Sequence, residues 1–163
     1  MVKLSKPILL ALVTAVVGVA ALFAAVLAVG SMPEVHDVFI RLGTNTGGIF
    51  FVLHNHGLSG DCVVGVEVEG VTGAGSRAKV KSELHKTEIG PYEMKMVKVD
   101  RVCIGPMSEV RFTGVEGEGY HVMIFGNVHD YKKFHITLIF ESGKRVSFDA
   151  TPSDHTSDHG HRH

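Results

Sequence analysis

Neither sign of charge is in surplus in this chain. Sixteen Lys and Arg stand against seventeen Asp and Glu, a net charge of −1 over 163 residues. Setting aside Lys3 and Lys6 leaves fourteen basic against seventeen acidic residues, or −3. A chain so balanced offers no basic surface for releasing counterions from a phosphate backbone, and nucleic acid is not an expected partner. A glycine-rich phosphate loop is missing. So is any Ser, His and Asp set that could be placed as a nucleophile with its base, and the chain is not read as an enzyme. Helical periodicity is absent beyond residue 30, and no apolar residue follows Ala150.

What is present falls into three stretches. Residues 1–30 form an N-terminal membrane anchor or signal segment. Two lysines precede residues 8–29, which carry no charge. As a helix that run would reach roughly 33 Å, enough to cross a hydrocarbon core of about 30 Å, and it is longer than a secretory signal core. Ala28-Val29-Gly30 also has the small-residue form of a cleavage site. The expectation is a single-pass anchor in the cell membrane, with the C-terminal domain outside the cytoplasm, or a periplasmic or secreted domain after cleavage. Residues 35–152 make one domain with its own core. Their periodicity is two: Val38, Ile40 and Leu42 alternate with Phe39 and Arg41, and Cys62, Val64, Val66 and Val68 with Gly65, Glu67 and Glu69. Residues 49–55 are apolar on both faces, and Gly43–Gly48 and Gly70–Ser76 read as turn and loop. Further strands are expected near 78–85, 93–100, 109–113, 119–125, 134–141 and 144–149. Short strands with Gly-rich turns and no helix predict an all-β, antiparallel sandwich.

Within it, histidines and methionines stand where a core has no use for them. Residues two apart share a face of a strand. Val97 and Val99, then Val122 and Ile124, are the core-facing residues, which puts Met96 on the polar face with Lys98 and Asp100. His85 falls in phase with Lys79, Lys81 and Glu83. His121 and Met123 form a second same-face pair, as Met94 does with Met96. Thioether sulfur is a poor ligand for hard cations and a good one for Cu(I), which imidazole also suits. Two His and two Met with no carboxylate point to Cu(I) rather than Zn, Mg or Ca. The candidate metal ligands are His85, Met96, His121 and Met123, with Met94 as the substitute.

These residues also carry a resemblance. His85, Met96 and the later His121-x-Met123 are similar to the signature of the PCuAC-type periplasmic copper chaperones. FVLHNHGLSGDCVVGVEVEG (51–70), SELHKTEIGPYEMKMVKV (82–99), GYHVMIFG (119–126) and FHITLIFESGKRVSFDATP (134–152) resemble successive segments of that family, covering about residues 36–152. The stretch between Met96 and His121 is longer than the family's usual one, and the extra residues are assigned to the turn TGVEGEG (113–119). The resemblance implies a cupredoxin-like Greek-key order, one Cu(I) held by the four ligands, and a chaperone rather than an enzyme. It further implies a recipient, the dinuclear copper centre of a haem-copper terminal oxidase, reached directly or through a thiol-bearing assembly factor.

The cysteines leave two readings open. Cys62 is in phase with core valines, as a buried thiol would be. A Cys62–Cys103 bridge is equally compatible with an extracytoplasmic domain. The end of the chain, 153–163, reads as a disordered tail in which His155, His159, His161 and His163 form an imidazole cluster suited to Cu(II), Ni or Zn. His54 and His56 flank Asn55 at a strand end as surface residues, while His36, His129 and His135 have no pattern around them. Two further functions belong to the same fold class. A blue-copper electron carrier needs two His, a Cys and a weak axial Met, and Cys103 with Met107 has no His beside it. A membrane-anchored Ig-like structural or adhesion domain leaves the outward His and Met residues without a purpose.

Overall fold

The computed structural model describes residues 6–28, 32–114 and 119–152. The four tail histidines therefore lie outside the described residues, as does most of the turn 113–119. The chain forms two compact units, residues 1–31 and 32–163. In the first, α1 (Lys6–Ala28) is an uninterrupted helix of 23 residues rich in Ala, Leu and Val. Among the described residues, no helix is long and apolar enough to cross a membrane.

The second unit is all antiparallel β. Its strands are β1 (Glu34–Leu42), β2 (Thr46–Asn55), β3 (Asp61–Thr72), β4 (Arg77–Ile89), β5 (Met94–Lys98), β6 (Val102–Ile104), β7 (Ser108–Phe112), β8 (Tyr120–Phe125), β9 (Tyr131–Phe140) and β10 (Arg145–Ala150). The hydrogen-bonded path runs β1-β2-β8-β4-β3-β9-β10, with β5, β6 and β7 added to β4, β3 and β2. β4 belongs to both layers. Val80 and its N-terminal neighbours pair with β3, whereas Lys81 to Ile89 pair with β8 and β5. β1 and β10, the ends of the path, come back alongside each other and make the sandwich nearly a barrel.

Between the layers lie Phe51, Phe112, Phe134, Phe140, Ile49, Leu53, Ile136 and Leu138, all fully buried. Phe51 and Phe112 stack with ring centres 4.3 Å apart. The alternation in residues 49–55 explains why: β2 sits between β1, β8 and β7, and Ile49, Phe51 and Leu53 point inward at every second position. Burial of that apolar surface drives the fold.

Three expectations are corrected. Val64 is 41% exposed and Val63 fully buried, because a bulge between Val63 and Gly65 opposite β9 inserts one residue and reverses the phase. Thr46 to Gly48 belong to β2 rather than to a turn, and Gly70 to Thr72 to β3 rather than to a loop. β6, three residues long, was not expected. Its pairing to β3 sets Cys103 opposite Cys62, and the two are joined in a disulfide.

Asn55 closes the end of β2. Buried at 3% exposure, it donates through Nδ2 to the carbonyls of Ser59 and Gly105, and its Oδ1 accepts from the Gly57 amide. Asn55→Ala orphans these backbone groups. We expect it to lower the unfolding free energy by about 2–3 kcal/mol in a urea titration, with an unchanged denaturant slope.

Candidate functional site

The outer face of the β5-β4-β8-β2 layer carries the predicted ligands. His85 on β4 stands directly opposite His121 on β8, and Thr87 opposite Met96 on β5. Met123 lies opposite Glu83 on one side and Gly48 of β2 on the other. Register thus makes His85 the centre: His121 faces it, and Met96 and Met123 stand on the two diagonals. Diagonal neighbours are about 7–8 Å apart in an antiparallel pair, within reach of long side chains. The two methionines lie on opposite sides of His85 along the strand. The strand phase predicted from Val97, Val122 and Ile124 holds, and β8 is in register with β4.

The imidazoles are enclosed rather than water-facing. His121 is 2% exposed and the His85 side chain 12%. Their ring centres are 5.9 Å apart, with Phe50 5.9 Å from His121 and Phe125 6.1 Å from His85. The sequence pattern gave no sign of this cover, because Phe50 reaches His121 from β2 and Phe125 reaches His85 from β8, each remote in sequence from the ring it covers.

Each ring is held by one nitrogen. His121 Nδ1–H donates to the Gly119 carbonyl at 3.2 Å, and the same carbonyl accepts the Thr87 amide at 3.0 Å. His85 Nε2–H donates to the Glu83 carboxylate at 3.1 Å. Carbonyl and carboxylate can only accept here, so the tautomers are fixed and the other nitrogens carry lone pairs. Those nitrogens, His85 Nδ1 and His121 Nε2, are buried without a hydrogen-bond partner. A buried polar atom left so is rare and costly. An ion about 2 Å from one nitrogen of each ring would separate the ring centres by roughly 6 Å. Gly119, at φ +68°, is needed for this arrangement: a Cβ there would stand 2.8 Å from the Thr87 carbonyl oxygen.

Glu83 was not singled out by sequence, and its place two residues before His85 was the available signal. Lys98 and Lys81 flank its other oxygen at 3.5 and 3.6 Å. The His85 hydrogen bond, with the two lysines, holds its carboxyl below the usual range. Met94 and Met96 are 68% and 57% exposed on the β4–β5 hairpin. Among the described residues, no three of His, Cys, Asp and Glu are gathered so as to hold a metal ion. His36 and His56 instead meet at Glu34, His54 stacks on His56, His129 bonds to the Gly43 carbonyl, and His135 pairs with Asp149.

Burial lowers the His121 pKa below its ordinary 6.5, aided by the nearby His85 and opposed by the Gly119 bond. Between the two values the unfolded chain binds more protons than the folded one, so unfolding free energy rises with pH there. This stabilising contribution is complete above about pH 6.5 and is lost as pH falls through the folded value. We expect urea midpoints of the metal-free protein to fall from pH 7.5 to 5.5, above the carboxylate range, and the fall to be smaller in His121→Asn.

The apo PCuAC domain from PmoF1 is similar in structure, with a TM-score of 0.55 at 18% identity over 76% of this chain and 95% of that one. The copper-bound PCuAC domain from PmoF2 gives 0.47 at 16% identity over 76% and 94%. The first likeness establishes a common fold, in agreement with the PCuAC-type resemblance read from the sequence. No protein of curated function matches the chain. Residues 33–151, almost the whole β unit, match the LpqE-like lipoprotein family. The chain belongs to that LpqE-like family.

Proposed function

We propose that the protein is an extracytoplasmic Cu(I)-binding metallochaperone, not an enzyme, with His85, Met96, His121 and Met123 as its ligands. One observation carries the reading: two facing imidazoles each present a buried, unpartnered nitrogen, and thioethers flank the pair. Soft sulfur and imidazole nitrogen without a carboxylate suit Cu(I). The copper-bound state named for the PmoF2 domain accords with this but is not its basis.

In this reading copper is cargo. The two imidazoles and Met123 form the enclosed part of the site, and Met96 completes it from the exposed hairpin. A partner's thiolate or imidazole meets Met96, and Met94 beside it, before the buried ligands. Release then proceeds by stepwise exchange, one weak thioether at a time. The proposed recipient is the copper subunit of a haem-copper terminal oxidase or a thiol-bearing assembly factor. The uncharged run 8–29 is proposed to hold the domain at the membrane. Cys62 and Cys103 are joined in one disulfide. The same pairing disfavours a blue-copper centre, which needs a cysteine ligand.

The test is a titration of the protein with Cu(I) against a competing chelator, followed at the methionine methyl groups. We expect one equivalent to bind and the Met96 and Met123 methyls to shift. Shifts confined to other methionines, or no binding, would overturn the assignment. Truncation after Pro152 should leave that titration unchanged while lowering Cu(II) uptake, because the removed His155, His159, His161 and His163 supply only imidazole.

A further inference from the structure

The disulfide lies away from the proposed ligands, on the other layer, and its two sulfurs are placed unequally. Cys62, on β3, is 9% exposed, whereas Cys103, on the short strand β6, is exposed. Strand β6 pairs with β3 through three residues and has no second hydrogen-bonded neighbour among the described strands. An open groove of about 470 Å³ runs over the bridge, lined by Gly60, Asp61, Cys62, Cys103, Ile104 and Gly105 with Glu141 and Ser142. At the inner sulfur, the Arg101 guanidinium stands 3.1 Å from Cys62 Sγ, while Glu141 holds the same nitrogen at 2.6 Å.

We propose that Cys62–Cys103 is an exchangeable disulfide, opened by a dithiol that attacks Cys103 in this groove while Arg101 stabilises the departing Cys62 thiolate. The attacking thiolate forms a bond to Cys103 Sγ. The Cys62–Cys103 bond breaks, and its electron pair leaves on Cys62 Sγ, next to the guanidinium. The second thiol of the reductant then attacks its own sulfur in the mixed disulfide and releases Cys103 as a thiolate. The protein gains two electrons, the dithiol becomes a disulfide, and the two thiol protons of the reductant go to the two cysteines or to solvent. A neighbouring cation lowers a thiol's pKa, and a lower-pKa thiol leaves faster. Exposure selects which sulfur is attacked, and Arg101 sets how readily the other departs.

The experiment uses the full chain without metal. Incubation with excess glutathione, an acid quench, alkylation of free thiols and peptide mapping should place the glutathione on Cys103 and the alkyl group on Cys62. Dithiothreitol should reduce the folded parent completely, and Arg101→Gln should slow that reaction about three- to tenfold. Arg101→Lys, which keeps the charge, should recover most of the rate, and Glu141→Gln, which frees the guanidinium, should raise it. A merely structural arginine predicts the opposite sign, since loosening the edge exposes the bridge and speeds reduction. Glutathione on Cys62, equal or faster reduction of Arg101→Gln, or a parent that resists dithiothreitol while folded would each overturn the proposal.

Discussion

Replacing both Met96 and Met123 by Leu should cost the protein its Cu(I) and leave its fold standing. Leu for Met nearly conserves volume, and such swaps cost under about 1.5 kcal/mol even when buried. Met96 is 57% exposed, so most of any cost belongs to the half-buried Met123. Copper affinity should fall about 100-fold or more, because even the outer partners of metal ligands are worth 10–100-fold. The two imidazoles remain, and their hydrogen bonds to Glu83 and Gly119 do not involve sulfur. Met94 shares the outer face and lies opposite Ile89, one step further from His85 than Met96, so Met94→Leu alone should weaken binding far less. The measurement is a chelator competition run on all three proteins beside a urea titration. A double variant that competes as well as the parent would sink the ligand set.

The second large effect concerns stability. Cys62 and Cys103 are 41 residues apart in sequence, and the bridge closes a loop containing β4, β5 and the hairpin between them. Removing the cross-link from the unfolded chain restores loop entropy worth about 4 kcal/mol. That is a large part of the 5–15 kcal/mol typical of a domain. We expect Cys62→Ala with Cys103→Ala to lower the unfolding free energy by about that much, in urea with both proteins metal-free. Copper affinity of the remaining folded fraction should change little, since His85 and His121 are held by β4–β8 pairing rather than by the bridge. A loss of stability below about 1 kcal/mol would mean that the unfolded state is already restrained by other means.

Much of this molecule was legible in the chain itself. Alternation of two placed most strands, because burying one face of a pleated strand imposes that period wherever the core is on one side. It also put His85 and Met96 on the outer face, since that inference needs only the position of nearby valines. The preference of thioether and imidazole for Cu(I) is likewise a sequence-level expectation. The softness of sulfur belongs to the residue and not to its setting.

What the sequence did not hold were the relations between strands. Cys62 kept two readings open until the pairing of β3 with β6 set Cys103 opposite it. The bulge at Val64 was hidden because its cause is the register against β9, more than seventy positions downstream. Strand β6 was missed because three residues are too short for a period to declare itself. The burial of His121, the two orphaned nitrogens and the arginine at Cys62 Sγ arise from side chains brought together by the fold. The sequence alone determined the period of the longer strands outside the bulge and the chemistry of each His and Met side chain. Tertiary structure alone decided which donors face one another and which nitrogen is left free, because hydrogen-bonded register and burial are properties of pairs of strands.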